Sequence, residues 1–195
     1  MSDLHCPARI LLARHGEAEY ESATLDRSGG TLTTTGRAQA RGLGERLRGE
    51  RVAGVVCSEV SRAVQTAEVA AGVLGLPVAV RVGLQEFAAG DRLGHPRAEA
   101  GFDPVLEAWV AGDLAVGVPG GETGADVADR AFAVLDEVAD RFRGESVLVV
   151  THGGVVRAVR ARLVPGVPPG PGGPHDVPNC ATWLLERDAD GWRVG

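Results

Sequence analysis

Apolar residues follow two rhythms along this chain. Short unbroken apolar runs mark strands buried on both faces, and apolar positions three or four apart mark one side of a helix. Residues 9–13, Val52–Cys57 and 146–150 are runs of the first kind, and 77–82 reads as a further strand. Helical spacing appears at Ala40, Leu43 and Leu47 within 35–47, where the preceding threonines supply caps. It recurs at Val60, Val64, Ala67, Ala71 and Leu74, with Ser58 expected as the N-cap and with Arg62 and Thr66 together on another side. Residues 122–142 carry Val127, Ala131, Leu135, Val138 and Phe142 on one side. A last helix follows with Val155, Val156, Val159 and Leu163.

Strands alternating with helices predict an α/β fold: a three-layer sandwich with a mostly parallel central sheet flanked by helices on both faces. A single domain over 1–195 is the expectation. Two stretches break the rhythm. Residues 87–121 are irregular apart from a piece around 105–110, and they are expected to cover the substrate. Residues 165–178 contain ten Gly or Pro in fourteen and can be neither helix nor central strand. Residues 181–185 and 192–194 flank Asp190-Gly191, the signature of a closing hairpin.

In sheets of this kind ligands sit outside the C-terminal ends of the strands. Two of the predicted strands end there in the same way, one at Arg14-His15-Gly16-Glu17 and the other at Thr151-His152-Gly153-Gly154. Glycine after each histidine lets the backbone approach a bound group closely.

Composition narrows the chemistry. The net charge is −6 and all 20 basic residues are arginine. A Walker A loop, a lysine Schiff base and a kinase-type phosphate lysine are therefore excluded. The acidic balance argues against nucleic acid as a partner. The cysteines, Cys6, Cys57 and Cys180, show neither disulfide nor zinc-ribbon spacing, no signal peptide opens the chain, and no apolar run reaches membrane-spanning length. A cytoplasmic protein with no membrane association is expected. No exposed apolar stripe is left over once the core is assigned, so the sequence carries no signal of oligomeric state.

A histidine at a strand tip has three uses: structural hydrogen bonding, metal ligation, or chemistry. His15-Gly16-Glu17 fits the H-x-E of zinc deaminases, but the partner P-C-x-x-C is absent and no third ligand cluster appears. Acyl transfer lacks a G-x-S-x-G and a cysteine beside a base. In the third use, two strand-end histidines with Arg14 and Arg62 would converge on a dianionic phosphoryl group, because the guanidinium fork matches phosphate oxygens. A neutral imidazole can then attack phosphorus, and no metal or cofactor is required if arginines carry the charge.

Six motifs stand in order: R-H-G-E at Arg14–Glu17, L-T-x-x-G at Leu32–Gly36, S-x-x-x-R-A-x-Q-T-A at Ser58–Ala67, L-x-E-x-x-x-G at Leu84–Gly90, G-G-E at Gly120–Glu122 and V-V-T-H-G at Val149–Gly153. Together they resemble the histidine phosphatase superfamily in its phosphoglycerate-mutase-like branch. The resemblance implies that His15 is the phosphorylated nucleophile and Glu86 the general acid. It also implies that Arg14, Arg62, His152 and the backbone at Gly153 form the phosphate pocket, with His152 serving catalysis as well. Glu122 is expected merely to favour its helix dipole.

The implied activity is hydrolysis of a small phosphorylated substrate through a phosphohistidine, with inorganic phosphate as the other ligand. The alternatives are a phosphoglycerate mutase, whose members are usually longer, and a non-catalytic phosphoester-binding protein. Two departures bear on the substrate. Glu21 stands where the family commonly has asparagine, and Gly90-Asp91-Arg92-Leu93-Gly94 replaces a frequent G-D-W-E-G.

Overall fold

Strand β1 (Ala8–Arg14) is apolar on both sides, and such a strand has to lie in the middle of a sheet. Ile10 and Leu12 enter one core while Leu11 and Ala13 enter the other. In the computed structural model, which describes residues 6–195 except 21–22, 27–28, 97–98, 100 and 174–175, β1 pairs parallel with β6 (Ser146–Thr151) and antiparallel with β7 (Thr182–Asp188). Strand β6 repeats the two-sided pattern, with Val147 and Val149 opposite Leu148 and Val150. It pairs parallel with β4 (Val52–Cys57), which pairs parallel with the short edge strand β5 (Val78–Val80). Strand β8 (Gly191–Val194) folds back on β7, giving the order β5-β4-β6-β1-β7-β8.

Helices α1 (Thr34–Leu47) and α2 (Ser61–Leu74) pack their small and apolar sides, including Ala40, Leu43, Ala67 and Ala70, over one face. Helices α4 (Gly124–Arg141) and α5 (Gly153–Leu163) cover the other face, joined there by α3 (Asp103–Ala111) through Trp109. The result is the three-layer α/β sandwich that the alternation predicts. No helix among the described residues is long and apolar enough to cross a membrane.

Register then places the chemistry. Arg14 pairs with Thr151, and Cys57 with Val150, so His15, His152 and Ser58 emerge side by side where three parallel strands end.

Several local expectations need correction. Strand β5 is confined to Val78–Val80, because it lies at the sheet edge and Val82 is already 75% exposed. Ser58 is not the cap of α2: that helix begins at Ser61 with Val60 in the cap position and no side-chain capping bond. Helix α4 starts at Gly124, where Thr123 and Asp126 form a reciprocal capping box, so Glu122 lies outside it. A two-residue ladder between β2 (Ala18–Glu19) and β3 (Thr31–Leu32) is too short for periodicity to reveal. Glu21 lies outside the described residues.

Candidate active site

His15 follows directly on β1 and is buried, with 4% of its surface exposed. Its Nδ1 stands 2.7 Å from the carbonyl of Gly16, and a carbonyl only accepts, so Nδ1 carries the proton. Nε2 is consequently the lone-pair nitrogen, and Arg62 Nε donates to it at 2.9 Å. Burial lowers the His15 pKa to about 3; Arg62 and then Arg14 push in the same direction, against the Gly16 hydrogen bond. The imidazole is neutral, as a nucleophile has to be.

The loop bearing His15 is clamped from several elements. Thr151 accepts from the His15 amide at 2.9 Å, and Asn179 Nδ2 donates to the His15 carbonyl at 2.9 Å. Thr66 Oγ1, one turn after Arg62 on α2, accepts from the Gly16 amide at 3.0 Å. A Cβ on Gly16 would stand 2.7 Å from the Gly36 carbonyl oxygen. The glycines of two separate motifs are thus one backbone crossing. Glu17 turns away from the pocket: its carboxylate accepts from Thr33 Oγ1 at 2.6 Å.

His152 sits at the N-cap of α5, fully buried, its ring centroid 5.2 Å from that of His15. Burial first, then Arg62, His15, Arg130 and Arg14, hold its pKa well below 6.5. Ser58 Oγ lies 2.9 Å from His152 Nε2 and also accepts from the Val60 amide at 3.2 Å. That amide takes one of the two hydroxyl lone pairs, and the contact with the ring uses either the hydroxyl proton or the second lone pair, while His152 Nδ1 is buried without a partner. Ser58 therefore anchors the buried His152 ring. Replacing Ser58 with alanine is expected to orphan a buried ring nitrogen and cost about 1–3 kcal/mol. Urea unfolding checks this, and kcat should fall more than KM changes.

Arg14 and Arg62 flank the histidines, and each is tied to a backbone carbonyl: Arg14 Nη1 donates to Val177 and Arg62 Nη1 to Gly29. Arg14 Nε is buried without a partner. Across the pocket, Glu86 lies at the N-terminus of α5. Gly154 N–H donates to its two oxygens at 3.0 and 3.3 Å, and Phe87 N–H donates at 3.2 Å. A Cβ on Gly154 would stand 2.5 Å from Glu86 Oε1, so the second glycine of His-Gly-Gly is what admits the carboxylate.

The structure thus brings Arg14, His15, Arg62, Glu86, His152 and Gly153 together beyond the C-terminal ends of the central parallel strands. Sequence reading misses three contributors: Ser58 in its actual role, Asn179, and Arg157. Arg157 is 8% exposed and reaches back along α5 until its Nη1 lies 3.1 Å from where a Gly153 Cβ would be. Among the described residues, no three His, Cys, Asp or Glu side chains are grouped to hold a metal ion.

Known proteins are similar to this chain in sequence and fold. Residues 10–195 match the histidine phosphatase superfamily (branch 1). The chain is 33% identical to phosphoglycerate mutase-like protein 4 of Arabidopsis thaliana over 81% of its length and 72% of the relative's. It is 34% identical to a metal-independent phosphoserine phosphatase of the same plant, over 79% of its length and 68% of the relative's. Among solved structures, a mycobacterial glucosyl-3-phosphoglycerate phosphatase in complex with inorganic phosphate superposes with a TM-score of 0.72 at 27% identity, covering 96% of this chain and 95% of that one. The chain belongs to branch 1 of the histidine phosphatase superfamily.

Proposed function

We propose that the protein is a phosphomonoesterase that hydrolyses a small phosphorylated substrate through a covalent phosphohistidine on His15. One observation carries the reading. His15 is a buried neutral imidazole whose tautomer leaves Nε2 as the lone pair, beside guanidinium groups suited to a phosphoryl dianion. Relatives named as phosphatases, and a neighbour that binds inorganic phosphate, support the same substrate class.

In the first step Nε2 attacks phosphorus, the phosphorus–nitrogen bond forms, and the ester phosphorus–oxygen bond breaks with its electrons going to the alcohol oxygen. Glu86, as the acid, supplies the proton to that oxygen. Arg14, Arg62 and His152, in the tautomer with the proton on Nδ1, hold the phosphoryl oxygens, and Arg62 Nε gives up its bond to the His15 lone pair as attack begins. The Nδ1–H bond to the Gly16 carbonyl stabilises the positive charge that develops on the His15 ring. In the second step Glu86, now ionised, takes a proton from water. The oxygen bonds to phosphorus, the phosphorus–nitrogen bond breaks, and inorganic phosphate leaves.

Rapid acid-free quenching during turnover of p-nitrophenyl phosphate should trap one phosphoryl group on the protein, labile to acid and stable to base, and mapped to His15. Label on another residue would overturn the assignment. Release of inorganic phosphate from glycerate phosphates, rather than interconversion of their isomers, separates a phosphatase from a mutase.

A further inference from the structure

Glu86 lies in a segment with no helical or strand periodicity, yet proton transfer needs its carboxyl placed within a few tenths of an ångström. The hydrogen bonds on either side of it show what fixes the segment. Arg130, on α4, donates through Nη1 to the carbonyls of Gly83 at 2.8 Å and Gln85 at 2.7 Å. The same guanidinium grips Glu122 with two bonds, Nε to Oε1 at 2.7 Å and Nη2 to Oε2 at 3.1 Å. Glu122 Oε2 in turn accepts from the amide of Ala88 at 2.8 Å. Between the two arginine-bound carbonyls, Leu84 accepts from the buried Thr151 hydroxyl at 2.7 Å.

The backbone is therefore held at positions 83, 84 and 85 before Glu86 and at 88 after it. Arg130 and Glu122 keep only 17% and 25% of their side-chain surface exposed. A half-buried pair of this sort contributes little net stability, because desolvation offsets the attraction, and its geometry is the more informative feature. Only a guanidinium can serve two carbonyls and a bidentate carboxylate at once. The expectation that Glu122 merely favours a helix dipole fails on the same bonds.

We propose that Arg130 and Glu122 are positioning residues for proton transfer, setting where the Glu86 carboxyl meets the leaving oxygen. The inference rests on the reading of Glu86 as the general acid. Its test compares kcat/KM on two esters: p-nitrophenyl phosphate, whose phenolate leaves without a proton, and glycerol 2-phosphate, whose alkoxide requires one. This ratio reports the step in which the leaving group departs and is independent of the later hydrolysis common to both.

Arg130→Met should lower kcat/KM on glycerol 2-phosphate by about 100-fold, within the range that general acid catalysis supplies, and on p-nitrophenyl phosphate by less than about threefold. Glu122→Gln preserves the shape of the brace and should show the same split more weakly, which keeps the test open if Arg130→Met fails to fold. Arg130→Lys should not rescue. Equal losses on the two esters, or no loss, would overturn the positioning role. The Glu86→Gln variant serves as the control: if it shows no split between the esters, the acid assignment itself falls, whatever the Arg130 variants do.

Discussion

Replacing His15 with alanine is expected to lower the rate of phosphate release by on the order of 1,000-fold or more, while the fold is retained. The magnitude follows from removing the proposed nucleophile, not from weakened binding. Arg14, Arg62 and His152 would still face the pocket, so the variant should continue to bind inorganic phosphate, and KM should change far less than kcat. The substitution also frees Arg62 Nε and the Gly16 carbonyl from their bonds to the ring, in a space the size of an imidazole. Added imidazole should enter that space and restore part of the phosphate release. Circular dichroism and phosphate titration establish that the variant is folded. A His15→Ala protein retaining more than about a tenth of the parent rate would show that His15 is not the nucleophile.

The two arginines offer a phosphoryl group charge that is already in place, although Arg62 Nε has to release the His15 lone pair before attack. A buried guanidinium left to itself would either be neutralised by a carboxylate or swing out to water. Here Arg14 and Arg62 are each oriented by a backbone carbonyl, from Val177 and Gly29, which fixes direction without cancelling charge. Arg157 adds to the same field. Its pKa is lowered mainly by burial and also by Arg14, while Glu86 opposes the shift. A concentration of cations around neutral histidines is the electrostatic complement of a dianion.

What sequence reading could see of this depended on whether a feature was periodic or carried by one local motif. Strands β1, β4 and β6 are visible because central parallel strands need apolar residues on both faces, and β5 is overextended because an edge strand does not obey that rule. The two histidines are visible because each stands at the end of such a run. Ser58 shows the opposite case. A serine just before a helix has the pattern of a cap, but its hydroxyl is drawn to His152, a residue contributed by another strand. Asn179 and Arg130 are invisible for the same reason: their partners lie 164 and 45 to 47 residues away in the chain. The segment before α3 is shaped by backbone contacts such as Asp91 N–H to the Pro119 carbonyl, at 2.8 Å, which leave no periodic trace.

Stability should fall as pH drops from 7 to 5, a window that lies mostly above the range in which carboxylates titrate. His15 has a folded-state pKa of about 3 against an ordinary value of 6.5, and His152 is displaced in the same direction, both chiefly by burial. In the folded protein both rings stay neutral through this window, whereas the unfolded chain protonates them. The unfolded state therefore binds more protons, and stability present above pH 6.5 is lost as the pH falls toward the folded values. For His15 alone the loss between pH 7 and pH 5 is about 2 kcal/mol, a large share of a typical domain's stability, and His152 adds to it. Urea midpoints measured at pH 7, 6 and 5 should decline progressively, and His15→Gln should flatten the decline by removing one of the two linked protons. Bound inorganic phosphate stabilises the folded state at each pH by mass action, so the series belongs in a phosphate-free buffer. A midpoint at pH 5 equal to that at pH 7 would mean that the histidines are not held neutral, and the lone pair assigned to His15 Nε2 would lose its basis.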